Sequence, residues 1–263
     1  MKQARKLALI TGASSGIGFE LARIFAKNDY DLIVTSGSDK ILDKAKLLRL
    51  YEVEVTEIVA DLATQEGVDS LWSKLGRPLD VAVLNAGVGA AGEFVKTSFK
   101  DDLNVLNLNI VYLVDLSKRI LQDMVIRNSG KMLFTSSVAA EMPGPYYATY
   151  AASKAFVQSF VEAIRYEMKD TKKNISITSL QPGPTDTNFF ARANMLNTPA
   201  AKGKKDDPAL VAQQGFDALM SGKDHVVGGS FKNKVQSTAA KFMSEEQGAA
   251  AQGKSARPDS IDK

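Results

Sequence analysis

The chain has 263 residues, 44% hydrophobic and 24% charged, the composition of an ordinary folded protein with length for one large α/β domain or two small ones. It has no cysteine and one histidine, which excludes disulfides, thiolate metal sites and cysteine nucleophiles and leaves almost nothing for histidine triads or two-histidine metal sites. With a net charge of +3, no dense basic run and no apolar run of the roughly 18 residues a membrane helix needs, neither nucleic acid, membrane nor metal is an expected partner, and a cytoplasmic, reducing location is compatible.

Residues 6–11 (KLALIT) are a short apolar run, read as a first strand. GASSGIG follows, and a helical pattern runs over 17–27. Strand, glycine turn and helix is the setting of a phosphate-binding loop. The spacing of Gly12, Gly16 and Gly18 is G-x-x-x-G-x-G rather than G-x-G-x-x-G, with the same physical task. Glycine lets the backbone approach a pyrophosphate, and the helix N-terminus stabilises its charge.

Residues 31–36 (DLIVTS) read as the second strand and 40–50 as its helix. The strand ends in small neutral residues, Ser36, Gly37 and Ser38, and Asp39 suits the first turn of the next helix. No acid therefore waits at the strand end for the ribose hydroxyls of NAD. Lys40 and the small residues leave room for a 2′-phosphate, so the cofactor preference leans to NADP(H), with NAD(H) as the alternative.

The third strand spans 53–60 and ends in Asp61-Leu62, with a helix over 64–75. The fourth spans 80–84 and ends in Asn85-Ala86-Gly87. Residues 99–128 read as one long helix containing Asn109, 131–136 as the fifth strand and 149–170 as the next helix. The sixth strand, 175–180, ends in Gln181-Pro182-Gly183-Pro184. Residues 187–207 form a long loop read as a substrate lid, with Phe189, Phe190 and Met195 as apolar contacts. A helix over 208–221, a last strand at 225–227 holding His225, and a tail frayed from about Gly248 complete the chain. Strands alternating with helices predict a doubly wound parallel sheet of six to seven strands, as one domain over 1–240 with a flexible tail at 241–263. The glycine-rich and polar clusters all follow strand ends, so they line one edge of that sheet, where ligands of such sheets bind.

Tyr150 and Lys154 lie four residues apart at the start of a helical segment, on one face. An ammonium beside a phenol favours the phenolate and lowers the phenol's pKa from about 10. A phenol so tuned can exchange a proton with a substrate oxygen. Ser137, at the end of the fifth strand, can face the same oxygen. Tyr147 is a decoy in the same segment.

Taken together, TGASSGIG, NAG, an Asn in the long helix, Ser137 thirteen residues before Tyr150, Tyr-x-x-x-Lys and PGPTDT resemble the short-chain dehydrogenase/reductase family in its single-domain Rossmann form, over about residues 6–227. The resemblance implies Tyr150 as general acid/base. It gives Lys154 the nicotinamide ribose, Ser137 the substrate carbonyl, and Asn109 a relay water beside Lys154. It implies that Gly12, Ser14, Ser15, Gly16, Ile17 and Gly18 hold the pyrophosphate and adjoining ribose. Asp61 and Leu62 would flank the adenine, Asn85, Ala86 and Gly87 its ribose. Pro182, Gly183 and Thr185–Thr187 would meet the nicotinamide side. Ser36 and Gly37 depart from the family, which often has Asp at the first for NAD or Arg at the second for NADP.

The implied activity is NAD(P)-dependent interconversion of a carbonyl and a secondary alcohol, with a small-molecule substrate and a homodimer or homotetramer. The alternatives are a cofactor-sensing regulator, or an epimerase or dehydratase on the same scaffold. The loop at 89–94, with the lid, would shape the substrate pocket.

Overall fold

The structure is a computed structural model that describes residues 4–240 and 242–259. The expected domain and tail also take in residues 1–3, 241 and 260–263, which lie outside the described residues.

Seven strands form one parallel sheet in the order β3-β2-β1-β4-β5-β6-β7. They are β1 (Leu7–Thr11), β2 (Asp31–Ser36), β3 (Val55–Val59), β4 (Val81–Leu84), β5 (Gly130–Thr135), β6 (Ile175–Pro182) and β7 (His225–Gly228). The order reverses between β1 and β4, so the chain has the doubly wound Rossmann architecture with its crevice at that switch point. β1 and β4 are buried along their whole length, as strands covered on both faces must be.

Side-chain alternation divides the core in two. Ala8, Ile10, Val81 and Val83 face α1 (Gly16–Lys27), α2 (Lys40–Arg49) and α9 (Pro208–Met220). Leu7, Leu9, Ala82 and Leu84 face α3 (Gln65–Ser73), α5 (Tyr112–Arg127) and α6 (Ala148–Asp170). Phe25 anchors the first layer, edge-on to Tyr30 and Phe216 at centroid distances of 5.1 and 5.0 Å.

Three segments differ from the sequence reading. The long helix over 99–128 is α4 (Phe99–Leu106), a π-helical turn (Asn107–Val111) and α5. The loop at 187–207 contains two short helices, α7 (Phe189–Arg192) and α8 (Pro199–Lys202), and is tied back by a bridge between Thr185 and Asp206. The segment read as frayed from about Gly248 belongs to α11 (Glu245–Ala256), which follows α10 (Phe231–Ala240). Ser244 and Gln247 close a capping box at its start, and Gly248 and Ala256 are buried by packing on the body. Composition reported polarity there; it could not report that docking.

Among the described residues no helix is long and apolar enough to cross a membrane, and no group of three potential metal-ligating side chains occurs.

Candidate active site

The carboxyl ends of the strands open on a large cavity of about 1880 Å³. Apart from Asn109, Asp186 and the 89–94 loop, the residues expected at the site line it; that loop, expected to shape the substrate pocket, stands outside the wall, with Gly89 packed behind Phe189. The glycine turn contributes Gly12, Ser14, Ser15, Gly16, Ile17 and Gly18. Ser36, Gly37, Asp61, Leu62, Asn85, Ala86 and Gly87 continue the wall. Ser137, Tyr150, Lys154, Pro182, Gly183, Thr185, Thr187, Phe189, Phe190 and Met195 complete it.

The turn after β1 needs its glycines for two distinct reasons. Gly16 has φ +56°, in the left-handed region, and a Cβ there would come within 2.8 Å of the Thr187 methyl. Gly18 packs its helix on the turn so closely that a Cβ would stand 2.4 Å from the Gly12 carbonyl oxygen. Ser15 caps α1 without any side-chain hydrogen bond, so the first amides of that helix are left for a ligand. Ser36 Oγ donates to Ser14 Oγ at 2.9 Å, tying the end of β2 to the turn. A cavity of this volume, open helix amides and a close backbone approach fit a dinucleotide.

Asn85 is more structural than its expected ribose contact suggests. Its amide donates to the Thr11 carbonyl at 3.1 Å, and its Oδ1 accepts from Thr135 Oγ1 at 3.2 Å. The backbone N–H groups of Asn85 and Ala86 both donate to Thr11 Oγ1, at 2.9 and 3.0 Å. One asparagine and two threonines thus hold the ends of β1, β4 and β5 in register. Nothing in the sequence pattern singles out Thr11 or Thr135.

Asn109 stands behind the cavity wall, fully buried. Its Oδ1 accepts from the Val88 N–H at 3.0 Å, and its amide donates to the Val88 carbonyl and to Ser153 Oγ, each at 2.9 Å. Ser153 Oγ in turn donates to the Tyr150 carbonyl at 2.7 Å. The π-helical turn projects this side chain between the loop after β4 and the start of α6.

Lys154 is buried, and its Nζ donates to the Thr135 carbonyl at 2.9 Å. Burial lowers its pKa to about 8. The Tyr150 phenol is pushed up to about 12 by burial, with the Ser137 hydroxyl opposing the shift. This corrects the expectation of a lysine-acidified phenol for the ligand-free chain. Desolvation dominates the shift, and the Lys154 Nζ, 5.8 Å from the Tyr150 ring centroid, is engaged with a strand end.

Ser137 begins a 3-10 turn (Val138–Glu141), and its Oγ accepts from the Ala139 N–H at 3.1 Å. One lone pair is thereby occupied and the O–H remains available to donate. Phe189 lies on Tyr150, with ring centroids 5.0 Å apart. Phe190 and Met195 turn partly inward, buried in a small cluster with Ala139, Tyr147 and Ala256. The decoy Tyr147 is buried, and its hydroxyl donates to Gln252 Oε1 at 2.6 Å. Sequence reasoning missed Gln252 and its helix; the S-E-E-Q run at 244–247, a capping-box pattern, was the one signal for it.

A twisted parallel sheet whose polar residues gather in a crevice at its switch point defines a doubly wound dinucleotide-type α/β protein. A family model described as short chain dehydrogenase matches residues 6–196. The chain is 31% identical over 210 residues to the dehydrogenase/reductase SDR family protein 7-like of Drosophila melanogaster, covering 77% of this chain and 64% of that protein's length. It is 31% identical over 223 residues to the oxidoreductase UcpA of Salmonella typhimurium, covering 83% of this chain and 81% of that one. A short-chain dehydrogenase/reductase from Burkholderia phymatum in complex with NAD superposes with a TM-score of 0.78 at 22% identity, over 86% of this chain and 90% of that one. A short-chain dehydrogenase from Sphingobium yanoikuyae in complex with NADPH does so with a TM-score of 0.78 at 23% identity, over 84% and 87%. The chain belongs to the short-chain dehydrogenase family.

Proposed function

We propose that this protein is an NAD(P)-dependent oxidoreductase that interconverts a carbonyl and a secondary alcohol. The observation that carries the reading is the meeting of the Ser137 and Tyr150 hydroxyls and the buried Lys154 in one cavity with an uncapped glycine turn. The complexes of two similar structures with NAD and with NADPH support the cofactor class.

Gly12, Ser14, Ser15, Gly16, Ile17 and Gly18 would hold the pyrophosphate, with Asp61, Leu62 and Asn85–Gly87 on the adenosine side and Pro182, Gly183, Thr185 and Thr187 toward the nicotinamide. When bound, the nicotinamide cofactor supplies the hydride for carbonyl reduction. Tyr150, protonated across the neutral range, gives its proton to the carbonyl oxygen as negative charge grows there. The Ser137 O–H, whose oxygen accepts from the Ala139 N–H, stabilises the same charge. Lys154, charged below about pH 8, stabilises the phenolate that Tyr150 leaves behind. Asn109 acts through position, fixing the first turn of α6 against the loop that follows β4.

Ser36 and Gly37 present no charge of either sign, and Lys40 and Lys44 line the cavity beside them. This supports NADP(H) over NAD(H). Exposed Phe99, Leu103 and Val111 on α4 and the π turn, with Phe156 on α6, support a homodimer or homotetramer through these helices. The test is NADPH-linked and NADH-linked reduction across a panel of ketones. Release of oxidised cofactor in proportion to product supports the reading. Binding of cofactor without turnover of any member would favour a sensor.

A further inference from the structure

α11 bridges the two walls of the substrate side of the cavity. On the catalytic side, Gly248 lies so close to Met142 that a Cβ would stand 3.0 Å from its side chain, and a Cβ at Gly253 would stand 3.6 Å from Pro145. On the lid side, Ala256 is buried in the cluster of Met195 and Ala201, an ion pair joins Lys202 to Asp259, and the Asp259 N–H donates to the Asn197 carbonyl at 3.1 Å. Between these anchors the helix turns Ala251, Gln252, Ser255 and Ala256 to the same cavity as Ser137 and Tyr150. Met142, Met195 and Met243 face it as well. Small alanines beside flexible methionines make a roomy, adaptable apolar wall. At about 1880 Å³ the cavity exceeds the roughly 300–1,000 Å³ of a typical single-ligand pocket. It has room for a bulky second molecule beside a dinucleotide.

The wall carries one oriented polar group next to the reacting centre. The Tyr147 hydroxyl donates to Gln252 Oε1 at 2.6 Å, and the Tyr147 ring lies 6.2 Å from that of Tyr150. With Oε1 so engaged, the amide is fixed; its nitrogen has no hydrogen-bond partner among the described residues, and Gln252 is one of the residues lining the cavity. An amide nitrogen is a donor with two hydrogens, and a ligand that leaves it unpaired loses binding.

Resting on the oxidoreductase reading above, we propose that Gln252 is a specificity-determining residue: its side-chain amide donates to a second oxygen on a bulky, otherwise apolar carbonyl substrate. Tyr147 is a positioning residue that aims this amide.

The test uses the full-length protein with 1-decalone and decalin-1,5-dione, two fused-ring ketones differing in one distal oxygen. Their binding is titrated calorimetrically in the presence of NADP⁺. The expected result is about threefold to tenfold tighter binding of the dione, the size of one hydrogen bond. Gln252→Glu keeps the shape and still accepts from Tyr147 but cannot donate; it is expected to erase the preference while decalone binding persists. Tyr147→Phe frees the amide without removing it, and is expected to weaken the preference without abolishing it. Equal binding of both ketones by the wild type, binding of neither, an intact preference in Gln252→Glu, or its complete loss in Tyr147→Phe would each overturn the proposal. NADP⁺ titrated alone reports on the oxidoreductase reading separately. A chain that binds the dione but not the cofactor sinks that reading and leaves the role of Gln252 standing.

Discussion

Lys154 Nζ points at the Thr135 carbonyl, 2.9 Å away, rather than at the Tyr150 hydroxyl four residues earlier on its own helix. The lysine is held at the end of β5, where it is desolvated, and the tyrosine is desolvated beside it. Each group is pushed toward its neutral form, the lysine down to about 8 and the phenol up to about 12.

That arrangement has a stability signature. The folded-state pKa of Lys154 lies near 8 against an ordinary 10.5. Below the folded value both states hold the proton and the cost of burying the charge is constant. Between the two values the unfolded chain binds more protons, so stability rises with pH. Chemical unfolding of wild type and Lys154→Met across this window should show the wild type gaining, relative to the variant, on the order of 1–3 kcal/mol. Tyr150 acts with the opposite sign above about pH 10, where the unfolded phenol ionises first. A wild-type-minus-variant difference that is flat from pH 8 to 10 would contradict the buried-lysine assignment.

Gly16 separates binding from folding. At φ +56° an alanine is strained by about 1–2 kcal/mol, and its methyl meets Thr187. Gly16→Ala should lower the melting temperature by a few degrees and weaken NADPH binding by more than tenfold. Unchanged cofactor affinity, read by fluorescence titration, would show that ligand does not approach this turn.

Asn109 should matter for stability as well as turnover. Asn109→Leu strips partners from the Val88 N–H and carbonyl and from Ser153 Oγ. The expected loss is about 3 kcal/mol, or roughly 6–12 °C in melting temperature. Asn109→Asp keeps the acceptor for Val88 and should lose less. Thermal melts of the two variants decide.

Cofactor choice is tested at the adenine end. Lys40→Ala and Lys44→Ala should weaken NADPH several-fold and leave NADH within a factor of two. A charge facing a 2′-phosphate matters only when that phosphate is present. Equal weakening of both cofactors would place the lysines elsewhere.

Much of this site was legible because its chemistry is local. Glycines at a strand-to-helix turn, a Tyr and Lys one helical turn apart and polar residues at strand ends each obey short-range rules, and alternating strands and helices force them to a common edge. The π turn at Asn107–Val111 was not legible, since the bonds of Asn109 reach Val88 and Ser153, far along the chain. The Thr11–Asn85–Thr135 junction is equally non-local. The phenol's pKa was misjudged because sequence gives the neighbour but not the burial. α11 was misjudged because an Ala-, Gln- and Gly-rich segment has little apolar mass of its own; its order comes from fitting small residues against Met142, Pro145 and the lid.

The most direct test of the account is single-turnover reduction of a ketone by Tyr150→Phe, with NADPH affinity measured on the same sample. Loss of the proton donor should slow the chemical step by about 10²–10⁴-fold, the range of acid/base assistance, while cofactor binding stays near wild type. Near wild-type turnover in that variant would contradict the central role given to the Tyr150 hydroxyl.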